Sequence, residues 1–183
     1  MNIIQTVLEK LKIEGINAVY NEKDYRITWL DPANDEHHIF ELDIDYSNGK
    51  IAWFQSSYWD KHLLRVFEGN ESFSWEPITY NPVFGCDCHL IEWYEGYLIF
   101  VYQEKHDVYI CILRDKTVSH FNFHGDQILR NKDLFYFKKF RSDKISCIKI
   151  PELIELAQIS RELADIQGFL PLTIGYPNNL KGV

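Results

Sequence analysis

Residues 86–123 read CDCHLIEWYEGYLIFVYQEKHDVYICILRDKTVSHFNF, and this stretch decides the fold. Its apolar and aromatic segments are separated by three polar pairs, which are Glu95-Gly96, Lys105-His106 and Asp115-Lys116. Short segments of this composition between turn-forming pairs are typical of β-strands joined by tight turns. The stretch therefore predicts an antiparallel meander of neighbouring strands.

Two-residue turns fix which residues of the meander face each other, because side chains alternate between the two faces of a sheet. On one face we predict three cross-strand rows: Trp93, Leu98, Leu113 and Val118; Ile91, Phe100, Cys111 and His120; His89, Tyr102, Tyr109 and Asn122. Polarity rises toward the third row. His89, Tyr102 and Tyr109 are therefore candidate residues for binding a small molecule.

Cys111 and His120 are predicted to stand directly opposite each other, with β-carbons about 5 Å apart. At that separation an imidazole can withdraw the proton of a thiol, so the pair is the candidate catalytic site of a hydrolase or transferase. The interpretation that we favour is a buried core, since Cys is among the residue types most often buried.

A β-hairpin is predicted at residues 39–54, where Asn48-Gly49 is a strong turn signal. Before the turn, apolar residues (Phe40, Leu42, Ile44 and Tyr46) alternate with acidic residues (Glu41, Asp43 and Asp45). Like charges on one strand face repel unless water or cations surround them. The acidic face is thus either a solvent face or a docking surface for a basic partner, to which Phe54 would add an apolar anchor.

Three helices are predicted, at residues 2–14, 58–68 and 151–167. The first carries Ile4, Val7, Leu8 and Leu11 at helical spacing and stops at Gly15. The second follows a capping pattern at Ser57 and Asp60, and the third begins at Pro151. Residues 69–85 are expected to form an ordered loop. The predicted fold class is α+β, with a largely antiparallel sheet and three flanking helices in a single domain, 1–183.

Composition excludes several classes of protein. The 183 residues include 19 Lys and Arg and 27 Asp and Glu, so the formal charge is 19 − 27 = −8, and 46% are apolar, which is too many for a disordered chain. Apolar runs are too short for a membrane span, and no export signal is recognisable, so we predict a cytoplasmic protein without a membrane partner. The glycine spacing excludes phosphate-binding and dinucleotide-binding loops.

Charge is distributed unevenly along the chain. Residues 1–92 carry 7 basic and 16 acidic side chains, 7 − 16 = −9, whereas residues 93–183 carry 12 and 11, 12 − 11 = +1. Residues 128–149 mix lysines and arginines with aromatic residues, as binders of single-stranded nucleic acid do. The net charge of −8 opposes phosphate binding, so we predict an edge strand protected by lysines and no nucleic-acid partner.

Metal binding is the weaker interpretation of Cys86 and Cys88. Alternate residues of a strand lie about 6.6 Å apart, which is farther than two thiolates on one zinc ion, and His89 would point to the other face. We therefore predict no metal and no cofactor, and reduced cysteines.

These patterns favour a non-catalytic protein-binding module, such as a small cytoplasmic inhibitor or an immunity-type protein, that captures a basic partner through its acidic surface. Two alternatives stay open. One is an enzyme or small-molecule binder that uses the meander face. The other is an oligomerisation or scaffold domain, since the C-terminal helix is apolar on more than one side and suits a homodimer.

Overall fold

The computed structural model describes residues 2–57, 62–69, 71–75, 87–104, 107–124, 127–138, 144–167 and 174–175. The chain divides into two compact units, which are Met1–Pro82 with Ile91–Gly96 and Val83–Leu90 with Tyr97–Val183. The single domain predicted over 1–183 stays a prediction. In the part of the chain that the structure describes, no helix has the length and apolarity needed to cross a membrane.

The described residues of the first unit form a six-stranded antiparallel sheet and one helix, and the strands pair in the order in which they follow each other. Its elements are α1 (Ile3–Ile13), β1 (Val19–Asn21), β2 (Arg26–Leu30), β3 (Glu36–Asp45), β4 (Lys50–Ser57), β5 (Leu63–Glu68) and β6 (Glu71–Trp75). The predicted N-terminal helix and the predicted hairpin are both confirmed.

Helix α1 covers one face of this sheet, which we call the helix face. Asn2 caps the helix by accepting from the backbone N of Ile4 at 3.1 Å. Val7 and Leu11 are buried in a cluster with side chains of β2, β3, β4 and β5, which are Ile27, Trp29, Ile39, Ile51, Trp53 and Phe67. An ion pair at 2.5 Å joins Glu14, at the end of the helix, to Arg65 of β5. The apolar side of the predicted helix is therefore the side that packs on this sheet.

The hairpin of β3 and β4 differs from its prediction in two details. Asp45 pairs with Lys50, so the turn covers residues 46–49 rather than Asn48-Gly49 alone. The register also shifts between Ile39 and Glu41, as in a β-bulge with Phe40 as the extra residue. The Phe40 ring stacks on Phe54 at 5.8 Å, whereas Leu42 and Ile44 pack against the α1 cluster. The alternation was therefore wrong at Phe40.

The predicted helix at 58–68 is wrong where the structure describes it. Residues 63–68 form β5, and residues 58–61 lie outside the described residues. Leu63, Val66 and Phe67 fit a helical spacing, but a short apolar run fits a strand buried on both faces equally well. Leu64 pairs with Phe54 on one face, and Phe67 stacks on Trp53 at 4.6 Å on the other. The expected loop at 69–85 likewise contains β6, and 76–85 is outside the described part.

The part of the second unit that the structure describes contains a meander, a smaller sheet and one helix. Its elements are β7 (Asp87–Tyr94), which crosses the boundary between the units, β8 (Tyr97–Glu104), β9 (Asp107–Arg114), β10 (Thr117–His124), β11 (Gln127–Asn131), β12 (Leu134–Lys138), β13 (Ile145–Lys149), α2 (Ile150–Gln167) and β14 (Ile174–Gly175). The second sheet has the order β14-β10-β9-β8-β7, and the third has the order β11-β12-β13.

The predicted register of β8, β9 and β10 is confirmed. Leu98 pairs with Leu113, Phe100 with Cys111 and Tyr102 with Tyr109, and the pairing of β10 with β9 continues the same rows. In the last turn Asp115 and Lys116 both have positive φ, of 51° and 62°. That backbone matches the twist of the flanking strands and keeps the loop at two residues.

The predicted α+β class with three flanking helices is wrong. The described residues form fourteen strands in three mostly antiparallel sheets and only two helices, α1 and α2. The chain's apolar segments are short and mostly bounded by turns. The backbone hydrogen bonds of each segment are made by pairing with the segment next to it in sequence. Helix α2 confirms the C-terminal prediction. It begins where the backbone N of Ile150 donates to the carbonyl of Asp133 at 2.8 Å, and it packs against β9, β10 and β13.

Candidate functional site

Cys111 and His120 face each other in the second sheet, at the centre of neighbouring strands β9 and β10. The Sγ atom of Cys111 lies 3.4 Å from Nδ1 of His120. The prediction that a tight turn at Asp115-Lys116 brings the thiol and the imidazole together is therefore confirmed. Their role as a catalytic pair stays a prediction.

The environment of this pair sets its chemistry. Cys111 is 0% exposed and His120 is 5% exposed, with fully buried Phe100 next to the thiol in the same row. Burial lowers the pKa of His120 to about 4, because a charged imidazole loses its hydration there. The imidazole is thus neutral at pH 7 and supplies no positive charge to stabilise a thiolate. The arrangement fits a hydrogen-bonded pair inside a packed sheet.

The row of polar residues beside this pair is present on β8, β9 and β10. The rings of Tyr102 and Tyr109 are stacked, with centroids 4.6 Å apart and an interplanar angle of 6°. Tyr102 is buried, Tyr109 is half-buried, and Asn122 pairs with Tyr109 at the same level. The backbone of His89 lies in β7, and its side chain is outside the described part. Binding of a small molecule by this row stays a prediction.

The cysteines proposed as weak metal ligands cannot be located as a pair, since Cys86 and the side chain of Cys88 lie outside the described residues. Cys111 and Cys147 carry free thiols. Within the part that the structure describes, no group of three or more His, Cys, Asp or Glu side chains is placed to hold a metal ion.

The acidic residues of β3 share one face of the first sheet, which we call the acidic face. Glu41 pairs with Phe54 of β4, and Asp43 and Asp45 follow at alternate positions. All three carboxylates are half-buried, and Phe54 is fully buried. Phe54 is therefore a core residue of this face rather than an exposed anchor. As binding residues, the carboxylates stay a prediction.

Asp43 and Asp45 each accept a hydrogen bond, the first from a residue far away in the sequence and the second from a residue of its own turn. Asp43 Oδ2 accepts from the backbone N of Trp93 at 2.7 Å, which brings residue 93 of β7 to the acidic face. Asp45 accepts from the side-chain amide of Asn48 at 2.6 Å, and this bond is the main reason why the pKa of Asp45 is lowered. Asp43 thus binds a distant backbone amide, whereas Asp45 holds its own turn.

The sequence did not reveal an opening in the first sheet, where β2 stops pairing with β3. The last pair is Ile27 with Ile39, so among the described residues no strand lies beside positions 41–45 of β3 on the β2 side. A cavity of about 160 Å³ adjoins this edge. Its lining includes Ile4, Tyr20, Tyr25, Ile39, Glu41 and Leu42. The adjacent apolar residues Ile39 and Phe40 break the alternation, and this was the local signal for the bulge beside the opening.

Comparisons with known protein families, with curated proteins and with solved structures find no match for this chain. What characterises the described residues is therefore their architecture of three mostly antiparallel sheets and two helices. Within them, positions 41–45 of β3 have no neighbouring strand on the β2 side, and Cys111 and His120 are buried.

Proposed function

We propose that this chain is a non-catalytic protein-binding module, of the kind represented by small cytoplasmic inhibitors and immunity-type proteins, and that its first unit captures a basic partner. The observation that carries the proposal is the edge of β3 at positions 41–45, which has no described strand on the β2 side and adjoins a cavity whose lining residues include Tyr20, Tyr25 and Glu41.

An open strand edge offers backbone groups to an extended segment of another protein, which then adds to the sheet as a further strand. Affinity in this binding mode comes from main-chain hydrogen bonds, and specificity comes from pockets that take alternate side chains. The cavity lies where one such side chain would enter, between Tyr20 of β1 and Leu42 of β3. Tyr25, which is highly exposed, is one of its lining residues.

Charge supports a basic partner. Residues 1–92 carry a formal charge of 7 − 16 = −9, and Glu41 lines the cavity itself. Carboxylates near a binding edge attract lysine- or arginine-rich segments at long range and exclude acidic ones. The partner segment is therefore basic and extended.

The sealed state of the second sheet supports a binding role over thiol chemistry. A nucleophile must be reached by its substrate, whereas Cys111 is 0% exposed. The free thiols of Cys111 and Cys147 suit a reducing compartment, so the proposal includes a cytoplasmic location.

A peptide that alternates lysine and valine tests the proposal with the full chain. We expect saturable binding in fluorescence anisotropy, which weakens as salt is added, and slower amide hydrogen exchange at residues 41–45. Glu41→Lys is expected to weaken binding by about tenfold or more, because it places a positive charge at the cavity.

Glu152→Lys is the matched control, since it makes the same change of charge at an exposed position of α2. It should leave binding within about twofold of the original chain. A peptide that alternates glutamate and valine should not bind. The proposal is refuted if the two peptides bind equally, or if both variants weaken binding to the same extent.

The catalytic alternative makes a different prediction for the same chain. A working thiol nucleophile would react with iodoacetamide in the native protein, whereas a sealed thiol reacts only through opening of the sheet. Peptide mapping should find Cys147 modified and Cys111 protected by a factor on the order of 10³, as expected for a stable core. Rapid modification of Cys111 would favour the enzyme over the binding module.

A further inference from the structure

Most of the residues that line the cavity beside β3 are aliphatic or tyrosine. Tyr20 belongs to β1, and Tyr25 directly precedes β2. Tyr20 is half-buried and pairs with Ile27, which places it on the helix face. The aliphatic lining residues come from α1, β2 and β3 and are Ile4, Ile27, Ile39 and Leu42. The cavity therefore combines an apolar wall with two phenol side chains.

Tyr25 lies beside this cavity in an unfavourable backbone conformation. Its φ is 54°, and among the described residues with positive φ other than glycine it is the one with an aromatic side chain. A left-handed backbone is uncommon for a bulky residue, because the side chain crowds the backbone there. Tyr25 is also 82% exposed, so burial of its ring offsets little of this cost. Strained residues of this kind cluster at ligand sites, which points to a binding role for Tyr25.

Hydrogen bonds fix the turn that leads to Tyr25. The side-chain amide of Asn21 donates to Oδ2 of Asp24 at 2.8 Å, and the backbone N of Lys23 donates to Oδ1 of Asn21 at 3.0 Å. Tyr20 is held by its strand pairing with Ile27. Groups that are positioned before a ligand arrives bind it with a smaller loss of conformational entropy. The two tyrosines thus start from a fixed backbone.

We infer that this cavity binds a trimethylated lysine side chain of the extended basic segment, an inference that rests on the proposed function. A trimethylammonium group is apolar on its surface and carries a full positive charge. Its methyl groups pack against the aliphatic wall, and the negative faces of tyrosine rings attract its charge. A cavity of about 150 Å³ accepts benzene, so the cavity of about 160 Å³ has room for a group of similar size.

An unmodified lysine fits the cavity less well. Its ammonium group is strongly hydrated and carries three hydrogen-bond donors. The aliphatic side chains of Ile4, Ile27, Ile39 and Leu42 offer no acceptor to replace the water that the ammonium loses on entry. Trimethylation removes all three donors and keeps the charge, so it removes this penalty.

An uncharged apolar side chain also fits less well. It would pack against the aliphatic wall, but the ring faces of Tyr20 and Tyr25 would add no electrostatic attraction. It would also gain nothing from the formal charge of 7 − 16 = −9 on residues 1–92. The combination of rings, aliphatic wall and negative charge therefore selects an organic cation.

Three peptides test the inference with the full chain. The parent alternates lysine and valine, the second carries trimethyllysine at one central lysine, and the third carries there the uncharged analogue with carbon in place of the quaternary nitrogen. Fluorescence anisotropy should show that the trimethyllysine peptide binds about tenfold more tightly than either of the others. Tyr25→Leu should abolish this preference, because it removes the ring and keeps an apolar side chain, whereas Tyr25→Phe should retain it.

Tyr46→Leu is the matched control, because it removes a tyrosine that is 75% exposed in the same unit and does not line the cavity. It should leave the preference unchanged, and circular dichroism checks the fold of each variant. The inference is overturned if Tyr46→Leu reduces the preference as much as Tyr25→Leu does. It is also overturned if free choline binds as tightly as the trimethyllysine peptide, since the ligand would then be a free cation.

Two outcomes separate this inference from the proposed function. Equal affinities for the three peptides, with slower amide hydrogen exchange at residues 41–45, would overturn the trimethyllysine site and leave strand addition at β3 standing. Preference for the trimethyllysine peptide that depends on Tyr25, without slower exchange at residues 41–45, would support the site and refute strand addition.

Discussion

In the first sheet the carboxylates of β3 accept hydrogen bonds at a half-buried face, whereas in the second sheet a thiol and an imidazole contact each other inside a packed core. Asp43 accepts from the backbone of Trp93, a residue fifty positions away. Cys111 and His120 contact each other across neighbouring strands. The first sheet thus leaves its polar residues near a surface that a partner can reach, and the second removes them from water.

This difference bears on function because recognition and catalysis need different access. A binding edge works with side chains that are partly exposed and already positioned, as those beside the cavity at β3 are. Covalent catalysis needs a substrate to reach the nucleophile. This contrast in access is the basis on which we propose recognition rather than catalysis, and experiments that open the second sheet or disturb the first test it.

Removal of one large aromatic side chain from each sheet has the largest expected effect. Trp53 in the first sheet and Phe100 in the second are fully buried. Truncation to alanine should cost about 3–5 kcal/mol of unfolding free energy in each case, because the lost contacts leave a cavity. Trp53→Ala also removes the donor to Gln55, which accepts from the indole at 3.1 Å. Urea unfolding followed by far-ultraviolet circular dichroism measures both changes.

Tyr46→Ala is the control for these two variants, since Tyr46 is 75% exposed in the turn between β3 and β4. It should change the unfolding free energy by no more than about 0.5 kcal/mol. A cost below about 1 kcal/mol for Phe100→Ala would contradict the packed second sheet and reopen the question of access to Cys111.

The dependence of stability on pH tests the burial of His120 directly. The pKa of His120 in the folded chain is about 4, which lies below the ordinary value of 6.5. Between these two pH values the imidazole is protonated in the unfolded chain but not in the folded chain. The contribution of the neutral His120 to the unfolding free energy is fully present above pH 6.5 and is lost as the pH falls from 6.5 to 4. The loss approaches about 3 kcal/mol, at about 1.4 kcal/mol per pKa unit.

His120→Gln isolates this contribution, because glutamine does not titrate in that range. Urea unfolding at pH 7 and pH 4.5 should show a larger loss of stability for the original chain than for the variant. Parallel losses in the two proteins would mean that His120 titrates normally, and that the second sheet is open at this position.

The sequence predicted those features of the two sheets that depend on neighbouring residues. Tight turns fixed the register of β8, β9 and β10, so the meeting of Cys111 with His120 could be predicted from spacing alone. Residues 63–68 could not be assigned from spacing, because an apolar run buried on both faces has no diagnostic period. The bond from Trp93 to Asp43 has no local signal, since it joins residues far apart in the chain. The cavity at β3 depends on where β2 stops pairing, which is likewise a tertiary feature.

A smaller effect is expected where the acidic face meets Trp93. Asp43→Ala should cost about 2 kcal/mol, because it leaves a partly buried backbone amide without its charged acceptor. Asp45→Ala should lower the unfolding free energy by less, since the groups that Asp45 binds lie in an exposed turn and can form hydrogen bonds with water instead. Equal costs for the two variants, measured by urea unfolding, would mean that Asp43 is also a surface carboxylate and would strengthen the acidic face as a docking surface.

The smallest expected effect compares two turns of the second sheet. Glu95-Gly96 has glycine at its second position, with φ of 81°, whereas Asp115-Lys116 has lysine there, with φ of 62°. A left-handed backbone costs a residue with a side chain about 1–2 kcal/mol, and glycine offsets part of that by its greater freedom in the unfolded chain. Lys116→Gly should therefore stabilise the protein by about 0.5–1 kcal/mol, and Gly96→Lys should destabilise it by a similar amount. Opposite shifts in the urea midpoint would show that the left-handed backbone at the second turn position limits stability in both turns. If Lys116→Gly is destabilising instead, the lysine side chain contributes more to this turn than the backbone strain costs.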